Sequence, residues 1–240
     1  MSNTASLDYQ IISHLNQASR KSWLFDQIVA FVSANNLLKG GIFMAFIWWA
    51  WFRDDGRRPQ QRPFIVSTLL GCVVALALAR MLALTLPFRL RPLHETTLDF
   101  LLPYGVAPGV LDGYSSFPSD HAVLFFSLAT GLFFVSKIVG AIALGYAVVC
   151  IALPRIYLGL HYPTDIAAGA LLGMAISWIA NSTLARSRPM ASVVNWSYSK
   201  PSFFYPLLFL ITYQIADMFD SSRVLISGVV KALQQALAWA

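Results

Sequence analysis

Long apolar runs separated by short polar stretches dominate this chain. A helix needs about 17–25 mostly apolar residues to cross a bilayer, and fewer where long basic side chains snorkel at its ends. Six stretches are read as spans on this basis: 37–52, 63–86, 119–136, 138–153, 164–185 and 202–219. The first is short, but Lys39 and Arg53 flank it, and Trp48, Trp49 and Trp51 suit an interfacial belt. Two further stretches, 7–35 and 222–239, carry apolar residues at roughly helical spacing: Leu7, Ile11, Ile12 and Leu15 in one, Val224, Ile226, Val230 and Leu233 in the other. They predict N- and C-terminal amphipathic helices, either lying in the membrane interface or packed on the bundle. No repeat, low-complexity run or polar linker divides 1–240, so one all-α membrane domain of six transmembrane helices is expected. No small-xxx-small signature stands out, so the oligomeric state is not legible.

Composition narrows the class. Residues of the AVILMFWYC set make up 57% and charged residues 12%, against about 25% charged in an ordinary soluble domain. That excludes disorder and leaves too little charge to cover a water-soluble globule. The 17 basic residues exceed the 11 acidic ones, but they are scattered, which argues against a nucleic-acid partner. Topology explains them better. Arg53, Arg57, Arg58 and Arg62, then Lys137, then Arg186, Arg188 and Lys200 fall in three loops that six helices place on one side, the cytoplasmic side by the positive-inside rule. Both termini and the segments 87–118 and 154–163 then face outward. The polar N-terminus lacks the build of a signal peptide. Cys72 and Cys150 lie in apolar runs and suggest neither a disulfide framework nor a zinc site.

The outward segments hold the chemistry. His161 and Asp165 are four residues apart at a helix start, with Pro163 in a favoured early position. A carboxylate one turn on can accept from the imidazole, fix its tautomer and leave the other nitrogen free to attack. Arg155, one loop upstream, offers a planar fork for phosphate oxygens. Phe117-Pro118-Ser119-Asp120-His121 has the form of an anion site at a helix N-terminus, with Ser119 as N-cap and His121 able to protonate a leaving oxygen. Arg89 and Arg91 lie in a proline-bounded stretch, and Arg80 interrupts an apolar helix, where a charge is costly unless it faces the bundle interior. Plainer readings stand beside these: an interfacial histidine with a capping Asp165, an ordinary Ser119 cap, and arginines that anchor lipid headgroups. No Asp, Glu, His or Cys cluster resembles a metal site, and no cofactor is expected. Clamped cations with two histidines suit a phosphoryl group.

These residues resemble the type 2 phosphatidic acid phosphatase (PAP2) superfamily, shared with vanadium haloperoxidases. Its motifs are Lys-x6-Arg-Pro, Pro-Ser-Gly-His and Ser-Arg-x5-His-x3-Asp. The third matches from Arg155 through His161 to Asp165, with Pro154 where Ser is usual. The second matches at Pro118, Ser119 and His121, with Asp120 for Gly. The first matches at Arg91-Pro92, but its Lys position falls on Leu84, leaving Arg80 or Arg89 as stand-ins. The motif core runs over 80–165. The resemblance implies a metal-independent lipid phosphatase of the inner membrane with an outward-facing site. His161 would be the nucleophile, forming a phosphohistidine, Asp165 its partner and His121 the general acid. Arg91, Ser119, Arg155 and the amide of Asp120 would hold phosphate. The carboxylate of Asp120 would repel phosphate unless Arg80 or Arg89 pairs with it, so such a pair is expected. The substrate would be a lipid met from outside, with undecaprenyl diphosphate first and phosphatidate, phosphatidylglycerophosphate or lipid A phosphate as rivals. Phosphotransfer to a second lipid is an alternative, and a non-catalytic lipid-phosphate binder or transporter is another. The loop 87–118, with Gly105, Gly109 and Gly113, is a candidate lid.

Overall fold

A computed structural model describes residues 7–53 and 58–238. The loop arginine Arg57, the polar start 1–6 and the last residue of the 222–239 stretch lie outside the described residues. Within them all regular structure is helical. Helix α1 (Leu7–Asn16) and α2 (Trp23–Ala34) lead through a π-helical turn at Leu37–Gly41 into α3 (Ile42–Phe52). Next come α4 (Arg58–Thr85), a long irregular segment with two 3-10 turns, α5 (Asp120–Val135) and α6 (Lys137–Tyr146). A second π-helical stretch joins α6 to α7 (Leu153–Tyr157). The chain ends with α8 (Pro163–Thr183), α9 (Arg188–Ser199), α10 (Pro201–Ala216) and α11 (Asp220–Ala238).

By length and composition three segments can cross a membrane: Gln60–Thr85, Lys137–Tyr157 and Pro163–Thr183. Two bent pairs raise the number to five: Trp23–Ala34 with Leu37–Phe52, bent by 65°, and Pro201–Ala216 with Asp220–Gln235, bent by 90°. By length and composition alone the expected count of six is not reached. The stretches at 37–52 and 202–219 are each part of a bent pair. The second corner comes from Met218 and Phe219, both in the left-handed region (φ 53° and 61°). The span expected at 119–136 is a 16-residue helix, about 24 Å long against an apolar bilayer core of about 30 Å. It has no need to match the lipid, because ten of its residues are buried among its neighbours.

The helices α4, α5 and α8 pack most extensively on one another. Phe43, Trp51, Phe125, Leu124 and Leu128 form the centre of the core. The α5–α8 contact is close because glycines face it. A Cβ at Gly173 would lie 2.1 Å from the Val123 carbonyl oxygen, and one at Gly169 2.6 Å from that of Ser119. Gly169-x3-Gly173 is therefore a small-xxx-small stripe, missed in the sequence and used within the chain. It sets the start of α5 against the second and third turns of α8.

The N-terminal stretch is two helices. Its first helix, α1, docks on α7 and α8 and buries Ile12 and Asp8. Along α11 the apolar residues Val224, Ile226, Val230 and Leu233 remain exposed. The loop expected at 186–201 contains a helix, α9, whose Met190, Val194 and Ser197 are buried at helical spacing.

Candidate active site

The end of α4, the segment 86–118, the first turn of α5, α7 and the loop before α8 converge on one cavity of about 650 Å³. Arg80, Arg91, Asp120, His121, Arg155 and His161 line it, with Ala83, Leu84, Leu86, Phe88 and Leu111 forming apolar wall. The irregular segment forms part of the cavity wall through Gly113, Tyr114, Ser115 and Pro118.

The histidine that follows α7 is held by its neighbours. Gly159 turns with φ +69°, a conformation that suits glycine, and its Cβ would also strike Phe100. The amides of Leu160 and His161 both donate to the Arg155 carbonyl, at 2.9 and 3.3 Å. His161 Nδ1 lies 2.8 Å from the Ser116 carbonyl oxygen. A carbonyl only accepts, so Nδ1 carries the proton and Nε2 keeps its lone pair. Arg91 Nη1 stands 3.3 Å from Nε2. Burial pushes the His161 imidazolium down to about 4, with Arg91 and Arg155 adding to the shift and Asp165 opposing it. The ring is therefore neutral at physiological pH and its Nε2 is a free base.

Asp165 was expected to accept a hydrogen bond from the imidazole. At 3.8 Å from Nδ1 its carboxylate is beyond hydrogen-bond reach. It supports the ring one step removed: Ser116 Oγ donates to its Oδ2 at 2.5 Å, and the same residue's carbonyl holds the ring. The Tyr162 amide also donates to Oδ2, at 2.9 Å.

The two buried arginines that line the cavity differ. Arg91 donates to the carbonyls of Tyr114, Ser115 and Leu160, at 3.2, 3.2 and 2.6 Å, which fixes its guanidinium at the cavity wall. Burial lowers its ionisation to about 10, so it remains charged at neutral pH. Arg155 is 5% exposed, and its Nε has no hydrogen-bond partner. A buried guanidinium with unengaged donors is costly unless an anion completes it.

The predicted pair at Asp120 is present: Arg80 Nη2 lies 2.7 Å from its Oδ2. Arg89 is not that partner, and it does not line the cavity. It sits behind the histidine loop, bonded to Asp165 Oδ1 at 2.5 Å and to Asp8 at 2.7 Å, so its expected phosphate contact is not what the geometry offers. Ser119 is fully buried, and its hydroxyl caps α5 by accepting from the Ala122 amide at 3.4 Å. It too lies outside the cavity lining. Among the described residues no group of three or more His, Cys, Asp or Glu could hold a metal ion.

The PAP2 superfamily model matches residues 66–189, more than half of the chain. This chain belongs to the PAP2 superfamily. Its sequence is 38% identical over 96 residues to the bacitracin transport permease protein BcrC of Bacillus licheniformis, an alignment that spans 40% of each chain. It is 20% identical over 188 residues to the undecaprenyl-diphosphatase BcrC of Bacillus subtilis, covering 78% of this chain and 90% of that one. Its fold is similar to that of a transmembrane PAP2-type phosphatidylglycerolphosphate phosphatase from Bacillus subtilis, with a TM-score of 0.50 and 22% identity over 75% of this chain and 86% of the other. The chain is thus a phosphatase of the PAP2 type by its family, with helices long and apolar enough to cross a membrane, and every cavity-lining residue from Arg80 to His161 lies within the matched region.

Three groups at this PAP2 site escaped sequence reasoning. Ser116 carries no motif signal beyond its closeness to Pro118. Asp8 and Thr164 bond to each other across the fold. Met218, Asp220 and Arg223 line the cavity from the α10–α11 corner, where Arg223 pairs with Asp220 and donates to the Met218 carbonyl.

Proposed function

We propose that this chain hydrolyses a lipid phosphate at the outer face of the membrane, without a metal, through a phosphohistidine at His161. Undecaprenyl diphosphate is the first substrate. The observation that carries the reading is the His161 ring, held as the Nδ1–H tautomer with Nε2 turned to Arg91. Nε2 attacks phosphorus and the bond to the leaving oxygen breaks. His121, on the same cavity, supplies the proton that oxygen takes up. Water then attacks phosphorus and passes its proton to His121 as the Nε2–P bond breaks, which releases phosphate and returns both histidines to their starting forms. Arg91 and Arg155 hold the charge spread over the phosphoryl oxygens. Guanidinium groups thus supply the positive charge that a metal would otherwise bring.

The apolar wall of Ala83, Leu84, Leu86, Phe88 and Leu111 suits a hydrocarbon chain next to the headgroup. The Bacillus subtilis relative named for undecaprenyl diphosphate, aligned over most of both chains, supports that substrate ahead of phosphatidate and phosphatidylglycerophosphate. The distribution of loop arginines and lysines supports an outward site in a bacterial inner membrane.

The test is phosphate release by the purified full chain in detergent with EDTA present, offering the three lipids side by side. Release from undecaprenyl diphosphate is expected, and His161→Ala abolishes it. Activity that survives His161→Ala, or that EDTA removes, overturns the mechanism. Tight lipid binding with no release would favour a carrier, the role in the name of the Bacillus licheniformis relative.

A further inference from the structure

Helix α1 lies outside the residues 66–189 that the family model matches, yet an unbroken series of hydrogen bonds joins it to His161. Asp8 is 5% exposed. Its Oδ1 accepts from the Thr164 amide at 3.0 Å, and its Oδ2 accepts from Thr164 Oγ1 at 2.5 Å and from Arg89 Nη2 at 2.7 Å. Arg89 Nη1 donates to Asp165 Oδ1 at 2.5 Å. Ser116 links the other oxygen of Asp165 to the imidazole N–H. The Arg89 guanidinium also lies 4.2 Å from the centre of the Tyr162 ring, on which Tyr9 of α1 stacks at 6.0 Å.

One guanidinium is thus shared by two carboxylates, and the cluster behind His161 carries one net negative charge. The arithmetic matters because the ring gains positive character when Nε2 bonds to phosphorus. With Asp165 and Arg89 alone, the arginine would cancel the carboxylate. A second carboxylate restores the negative charge and orients the fork so that one nitrogen faces each acid.

We propose that Asp8 is a positioning residue for the phosphatase reaction, acting through Arg89 and Asp165 on the His161 ring. This rests on the reading of His161 as nucleophile. A helix that only anchored the N-terminus would need the Thr164 bonds but not the charge.

The experiment compares Asp8→Asn, Asp8→Glu and Thr164→Val in the full chain in detergent, each also in an Arg89→Gln background. Phosphate release from undecaprenyl diphosphate is followed alongside the melting temperature. Asp8→Asn lowers kcat about tenfold, which is about 1.4 kcal/mol, while KM stays within about twofold. Asp8→Glu, which keeps the charge, recovers most of kcat, and Thr164→Val costs less than Asp8→Asn. In the Arg89→Gln background the effect of Asp8→Asn largely vanishes. A substrate-free arm measures carbethoxylation of His161 by diethyl pyrocarbonate with mass spectrometry, and Asp8→Asn slows it severalfold. Equal losses in both backgrounds, a loss confined to KM, or unchanged His161 acylation would overturn the proposal. If His161→Ala stays active, the nucleophile assignment fails instead, and the acylation arm still decides whether Asp8 acts on His161.

Discussion

Replacing Arg155 by methionine should weaken catalysis and strengthen the protein at the same time. The side chain is 5% exposed, and its Nε has no hydrogen-bond partner, so the protein bears the desolvation of a charge that, on the function proposed above, meets the substrate. Replacing buried ionic groups by apolar side chains of similar volume is often neutral or stabilising, by up to about 1–4 kcal/mol. Taking about 2 kcal/mol, a chain of this size gains roughly 4–8 °C in Tm. Two charge-assisted hydrogen bonds to phosphoryl oxygens, at about 1.5–3 kcal/mol each, are lost. That is a drop of about 10²–10⁴ in kcat/KM. The backbone is spared, because the bonds that hold the histidine loop come from the Arg155 carbonyl and not from its side chain. The assay pairs thermal unfolding in detergent with phosphate release from undecaprenyl diphosphate. A fall in Tm of several degrees, or kcat/KM within threefold of the parent, would refute the reasoning and make Arg155 a structural residue.

Two further outcomes follow from the charges around the cavity. Carbethoxylation of His161 should stay constant from pH 7 to about 5 and reach half its rate near pH 4, because burial holds the imidazolium down; a midpoint near the ordinary 6.5 would show that the ring is solvated. Asp120→Asn removes the one carboxylate among the cavity residues of the family motifs and frees Arg80, its partner at 2.7 Å. Inorganic phosphate should then inhibit at a concentration about three- to tenfold lower, on the scale of a partly screened unit charge, and weaker inhibition would count against a phosphate seat beside Asp120.

Continuous apolar runs were the legible part of the fold. The stretches read at 138–153 and 164–185 correspond to Lys137–Tyr157 and Pro163–Thr183. The misses have physical causes. The short α5 is surrounded by protein, so the bilayer does not set its length. Polar and basic residues around a narrow apolar stripe made α9 read as a loop. The corner at Met218 and Phe219 has neither Gly nor Pro to announce a left-handed backbone. At the site, an arginine partner for Asp120 was legible because a carboxylate beside phosphate needs an answering charge. Arg80 and Arg89 were not separable, since only the irregular backbone after α4 shows that Arg89 is aimed toward Asp165. Asp8 was out of reach for another reason: it meets Thr164 across 156 positions of sequence.

The bond from His161 Nδ1 to the Ser116 carbonyl bears on mutational robustness. The acceptor that selects the reactive tautomer belongs to the main chain, so no exchange of the side chain at position 116 removes it. Drift there can retune Asp165, through the lost or altered hydroxyl, while the protonation pattern of the ring survives. In an evolving lineage the identity of residue 116 would thus be freer than its backbone path. Insertions or deletions between Arg91 and Pro118, which would shift that carbonyl, are the changes this site should tolerate least.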